Sequence, residues 1–102
     1  DWAITGDDWI ARLDLAAIGT EVTVRTWRHG DRIQPLGMQG QKKLQDLFTD
    51  LLVPRSWRAR VPLLGCDSGI AWVVGHRIAD WAKVPRDSKG LVLWLKCSLN
   101  EA

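Results

Sequence analysis

One stretch of this 102-residue chain carries helical periodicity, and its other apolar residues come in short runs broken by glycine and proline. Leu44, Leu47, Phe48, Leu51 and Leu52 recur at the i, i+3, i+4, i+7, i+8 spacing of one helix face, with polar residues over the rest. The spacing predicts an amphipathic helix over residues 41–52, stopped at Pro54, which has no N–H to continue the ladder. Lys42 and Lys43 then fall at the helix start, where the positive end of the dipole disfavours cations. That placement suggests an anionic partner, although a solvated helix end is the commoner explanation.

A lone helix must bury its stripe on something else, and the other apolar runs read as strands. Residues 21–27 alternate, with Val22, Val24 and Thr26 facing one way and Thr23, Arg25 and Trp27 the other. His29-Gly30-Asp31 turns the chain, and residues 32–34 are extended because a residue before Pro35 avoids the helical region. Gly37 and Gly40 mark a loop. Residues 61–66 and 70–75 flank Asp67-Ser68-Gly69 as a hairpin, and the run at 70–74, apolar on both faces, predicts a central, covered strand. Residues 9–15 and 91–96 read as further short strands, and 85–90 as a polar loop. With no regular β-α-β alternation, the expected class is β-rich α+β, a layered, sandwich-like sheet with one main amphipathic helix. Hydrophobic residues at 46% and charged residues at 25% are ordinary for a globular chain, so a single domain over residues 1–102 is expected.

Most catalytic classes find no support. The nucleotide-binding and nucleophile-elbow glycine motifs are absent, and Ser68 reads as a turn residue. His29 and His76 stand alone, and neither Cys66 nor Cys97 has a neighbour at metal-ligand spacing. A disulfide between the two cysteines is formally open; two buried thiols in a reducing, cytoplasmic setting is the preferred reading. No apolar run approaches the ~20 residues that span a bilayer. The start has neither a signal-peptide pattern nor an initiator methionine, so the chain is expected to be a piece of something longer.

Charge distribution is more informative than the net +2. Residues 25–60 hold eight basic and three acidic residues, a balance of +5, and the remainder holds six basic and nine acidic, a balance of −3. A basic middle is how a phosphate-facing surface usually reads, and scattered solvated charge is the competing reading. The candidate RNA contacts are Arg28, Arg32, Lys42, Lys43, Arg55, Arg58 and Arg60, since arginine's planar fork fits two phosphate oxygens. Arg25 can instead form a structural pair with Asp31 or Asp14. Trp27 and Trp57 are open between stacking and core, and Trp72 is expected in the core.

These segments, in order, resemble the C-terminal domain of the tRNA(Ile)-lysidine synthetase family. The resemblance rests on Arg25, Arg28 and Gly30-Asp31-Arg32; on Pro35, Gly37 and Gly40; on Lys42-Lys43-Leu44 leading to Phe48; on Val53-Pro54 with Arg55 and Arg60; on Pro62-Leu63-Leu64; and on Ile70, Trp72, Val73, Gly75 and Arg77. It covers roughly residues 12–80, and departs at Leu52 and Gln45, where the family often has lysine, or at the second position serine. It implies a fold shared with a module of the phenylalanyl-tRNA synthetase β-subunit. It also implies a parent enzyme that uses ATP, with Mg, to join lysine to the wobble cytidine of tRNA(Ile). The family's catalytic Ser-Gly-Gly-x-Asp-Ser loop is missing here, so no cofactor is expected in this piece. The implied partners are tRNA(Ile), gripped from its acceptor-stem side, and the N-terminal catalytic domain of the same chain; homodimerisation is left open. The rival expectation is a scaffold domain that packs on its parent or on a partner subunit.

Overall fold

The structure, a computed structural model, describes residues 2–5, 8–87, 90 and 92–98. Its elements run β1 (Trp2–Thr5), β2 (Asp8–Asp14), α1 (Leu15–Ile18), β3 (Thr23–Arg25), β4 (Arg32–Ile33), β5 (Lys42–Lys43), α2 (Leu44–Asp50), α3 (Arg55–Arg58), β6 (Leu63–Cys66), β7 (Gly69–Val73), β8 (Arg77–Ile78), a 3-10 turn (Asp80–Ala82) and β9 (Val92–Ser98). All strand pairs are antiparallel, in sheets ordered β1-β2-β9, β3-β6-β7-β8 and β4-β5. The β-rich α+β expectation holds.

The apolar run at 70–74 becomes the covered strand that its composition predicts. β7 lies between β6 and β8, and Trp72 is only 2% exposed. Between Leu64 and Gly65 the β6–β7 register shifts, so Leu64 faces Trp72 while Gly65 faces Ile70. Gly69 turns the hairpin at φ 125°, a conformation that L side chains rarely adopt. Ala11 and Leu13 of β2, the inward side chains of β6 and β7, and Leu44, Leu47 and Phe48 of α2 join one hydrophobic core.

The helix is shorter than its stripe. Lys42 and Lys43 are not its first turn but strand β5, because their backbone pairs with Ile33 and Arg32 and the Leu44 N–H donates to the Asp31 carbonyl at 2.9 Å. The helix ends in a Schellman closure: the Val53 N–H reaches the Phe48 carbonyl at 2.9 Å and the Leu52 N–H reaches the Thr49 carbonyl at 3.1 Å. That closure needs a left-handed residue, and Leu52 supplies it at φ 58°. Leu52 therefore points out of the core, 86% exposed, and the apolar stripe stops at the half-buried Leu51. α3 was not predicted, since four residues are too few to show a period. The strand expected over 21–27 shortens to β3, an edge strand whose Val24 faces solvent. The thiol of Cys66 is free and half-buried rather than buried, and the Cys97 side chain lies outside the described residues.

The turn between β3 and β4 is held by Asp31. Its carboxylate accepts from both terminal nitrogens of Arg25, at 2.8 and 3.0 Å, and from the Arg28 backbone N–H at 2.8 Å. Of the two acids considered for Arg25, the structure selects Asp31. The bond from Arg25 holds the Asp31 carboxyl below its ordinary value near 3.8, with the Arg28 N–H reinforcing it and burial opposing it.

Three predictions test this packing. Leu47→Ala or Phe48→Ala should cost ~2–5 kcal/mol in urea titrations through lost burial and a cavity, whereas Thr49→Ala should stay under about 0.5 kcal/mol. Leu52→Gly should stabilise the chain by ~0.5–1 kcal/mol, because relief of left-handed strain exceeds the chain entropy glycine adds, and no buried contact is lost. Asp31 is depressed in the fold, so its stabilisation is present above its unfolded value and fades as pH falls through the lower folded one. Melting curves of Asp31→Asn should therefore lie well below the parent chain at pH 7 and converge with it below about pH 4. Parallel curves from pH 7 to 3 would remove the carboxylate from this role.

Candidate nucleic-acid interface

β4 and β5 form a minimal hairpin that stands on the larger sheet through the segment between them. The Leu36 N–H donates to the Ile78 carbonyl at 3.0 Å, Pro35 bridges Ala79, and the Asp80 N–H donates to the Gln34 carbonyl at 2.8 Å. The Asp80 carboxylate then accepts from the Gly37 N–H and from Lys83, each at 3.1 Å. Chiefly the Gly37 bond, then Lys83, holds its carboxyl below the usual range. This end of the hairpin is tied to β8, and the other end to Asp31.

The hairpin's register sets Arg32 directly opposite Lys43. Directly opposed residues project from the same face of a ladder, and both side chains are exposed. Among the described residues neither has an acidic partner, so two unneutralised cations face solvent side by side. Like charges so placed are mildly destabilising. Lys42 leaves from the other face and is ion-paired with Asp50 at the end of α2. Arg32 also rims a shallow open cleft of about 310 Å³ beside Arg25, Asp31, Gly30 and Gly65. The cleft's other charges, Arg25 and Asp31, neutralise each other.

A second group sits on the connection from α2 to β6. Arg58 is half-buried: its Nε donates to the Val53 carbonyl at 2.9 Å and its guanidinium lies 5.8 Å over the Phe48 ring. Those contacts fasten α3 to the core. Arg55, Trp57 and Arg60 are exposed, and the Arg60 guanidinium lies 5.4 Å over the Trp57 ring. Trp27 is half-buried and meets Phe48 edge-on at 6.4 Å, so it packs rather than stacks on solvent.

Of the seven cations singled out from sequence, the structure therefore brings Arg32 and Lys43 together on the hairpin, and it leaves Arg55 exposed at the start of α3 and Arg60 exposed over the Trp57 ring. Arg28 is exposed on the Asp31 turn, while Lys42 and Arg58 make the internal contacts described. Sequence reasoning missed the Trp57–Arg60 pair. Its only signal was an i, i+3 spacing inside a segment too short to show a helix. His76 is half-buried, and its imidazole is pushed down, first by that burial and then by Arg77. No cluster of histidine, cysteine and acidic side chains able to hold a metal occurs among the described residues, and no helix there is long and apolar enough to cross a membrane.

Comparison with known proteins converges on one family. Residues 22–94 match the family model described as the TilS substrate C-terminal domain. The chain is 46% identical over 80 residues to a tRNA(Ile)-lysidine synthase of Dehalococcoides mccartyi, covering 78% of this chain and 17% of that protein. It is 41% identical to the Geobacter sulfurreducens synthase, over 87% of this chain and 18% of the relative. The chain thus spans about a fifth or less of these curated relatives. A crystal structure of a TilS C-terminal domain superposes with a TM-score of 0.71 at 31% identity, covering 95% of this chain and 75% of the other. Sequence and fold together establish that the chain belongs to the TilS substrate C-terminal domain family.

Proposed function

We propose that this chain is the tRNA-contacting C-terminal domain of a tRNA(Ile)-lysidine synthase. In this reading it holds tRNA(Ile) from the acceptor-stem side while a catalytic domain of the same protein, in the cytoplasm, joins lysine to the wobble cytidine. ATP and its Mg belong to that other domain, since this sequence offers no phosphate-cradling loop. The contribution of the chain is positioning: a substrate held in register at one end presents its distant end productively.

The observation that carries the proposal is the Arg32–Lys43 pair. Two free cations set opposite each other raise the energy of the isolated domain slightly, and a phosphate lying across them turns that repulsion into two favourable contacts. Exposed Arg28, Arg55 and Arg60 are the further phosphate contacts of this reading, whereas Lys42 and Arg58 make internal contacts with Asp50 and Val53. Discrimination among tRNAs then requires base contacts, because phosphate contacts carry no sequence information.

Titrating a tRNA(Ile) transcript at several salt concentrations tests this. Affinity should fall linearly in log–log form by ~0.7–0.9 per phosphate contact, and Arg32→Ala or Lys43→Ala should each lower the slope by roughly one unit. Lys42→Ala should leave the slope nearly unchanged. Slopes unaltered in folded Arg32→Ala and Lys43→Ala proteins would hand the domain to the scaffold reading.

A further inference from the structure

Trp57 is exposed on a turn whose backbone is braced on both sides. Its segment, residues 51–66, holds three arginines and no acid. The Trp57 N–H donates to the Pro54 carbonyl at 2.9 Å, the Arg60 N–H donates to the Trp57 carbonyl at 2.9 Å, and Arg58 bolts the same turn to Val53 and Phe48. These bonds and the flanking Pro54 and Pro62 fix the backbone that presents the indole. Trp57 is nevertheless 57% exposed, with the Arg60 guanidinium over its ring.

An exposed indole on a braced backbone, with one guanidinium over it, has the features of a stacking platform for a nucleobase: a wide π surface, and a cation to meet the adjoining phosphate. Charge decides the occupant's class, because a surface with arginines and no acid within the segment attracts a polyanion. Geometry decides its form. Bases inside an A-form helix are stacked on their neighbours and offer no free face, so away from helix ends it is an unpaired base that can lie on the ring.

We infer that Trp57, backed by Arg60, is a docking site for an unpaired nucleobase of the bound RNA. The assignment rests on the tRNA-contacting reading above and adds to it a preference for single-stranded RNA that the Arg32–Lys43 hairpin does not confer.

The test compares a single-stranded RNA 12-mer with the same strand annealed inside a longer duplex, using the 102-residue chain and Trp57→Ala and Trp57→Phe variants checked by thermal melting. The parent chain should prefer the single strand. Trp57→Ala should weaken that binding roughly five- to hundredfold at an unchanged salt slope, leave duplex binding as it was, and be largely rescued by Trp57→Phe. If Trp57→Ala binds the single strand as tightly as the parent chain while Arg32→Ala still lowers the salt slope, the platform is wrong and the tRNA-contacting reading stands. If no RNA binds the folded chain, both fall.

Discussion

Asp31 is the point on which the arrangement turns. Its carboxylate takes both arms of Arg25 and the Arg28 N–H, and its carbonyl takes the Leu44 N–H. One residue thereby joins the end of β3, the turn into β4 and the first turn of α2. Those bonds set where β5 gives way to the helix, and hence which lysine faces out. They also consume Arg25 in a structural pair and leave Arg32 beside it without an acid. A charge-assisted, two-pronged bond costs little to form here because the turn backbone already brings the groups together, with Gly30 at φ 92° giving a bend a bulkier residue resists.

Much of this was legible in the residues. The covered strand at 70–74, the hairpin around Asp67-Ser68-Gly69, the Leu44–Leu47–Phe48 face and the burial of Trp72 follow from period and composition. The failures have three causes: a partner distant in sequence overrides a local preference, a helix closure dictates a backbone conformation, or an element is too short to show a period. Lys42 and Lys43 directly precede the helical stripe, yet Ile33 and Arg32, 9 and 11 residues back, offer a ladder that satisfies their backbone first. Leu52 completes the apolar spacing, yet helix closure needs a left-handed residue there. β1 and α3 are too short to show a period. The basic middle was visible as a charge imbalance, but its division into supporting and free cations was not, because it depends on Asp50, Val53 and Phe48, contacts that no spacing rule encodes.

The cations therefore fall into two classes by what they touch. Arg25, Arg58 and Lys42 hold the scaffold; Arg28, Arg32, Lys43, Arg55 and Arg60 face solvent. In the proposed tRNA-contacting role the first class would make the second effective, since a phosphate contact is worth most when its support is already rigid and little ordering remains to be done on binding. Leu52 fits the same division. The chain there places an exposed, uncharged leucine in a left-handed conformation, so the residue that closes α2 adds no cation.

The proposal that these solvent-facing cations meet tRNA is tested most directly by titrating the isotope-labelled chain with a tRNA(Ile) transcript and following backbone amide shifts. Perturbations should concentrate on residues 28–33, 42–43 and 55–60 and spare β2 and β9. Shifts confined to the β1-β2-β9 sheet, with the hairpin and α3 silent, would contradict the assignment and point to that sheet as the binding face.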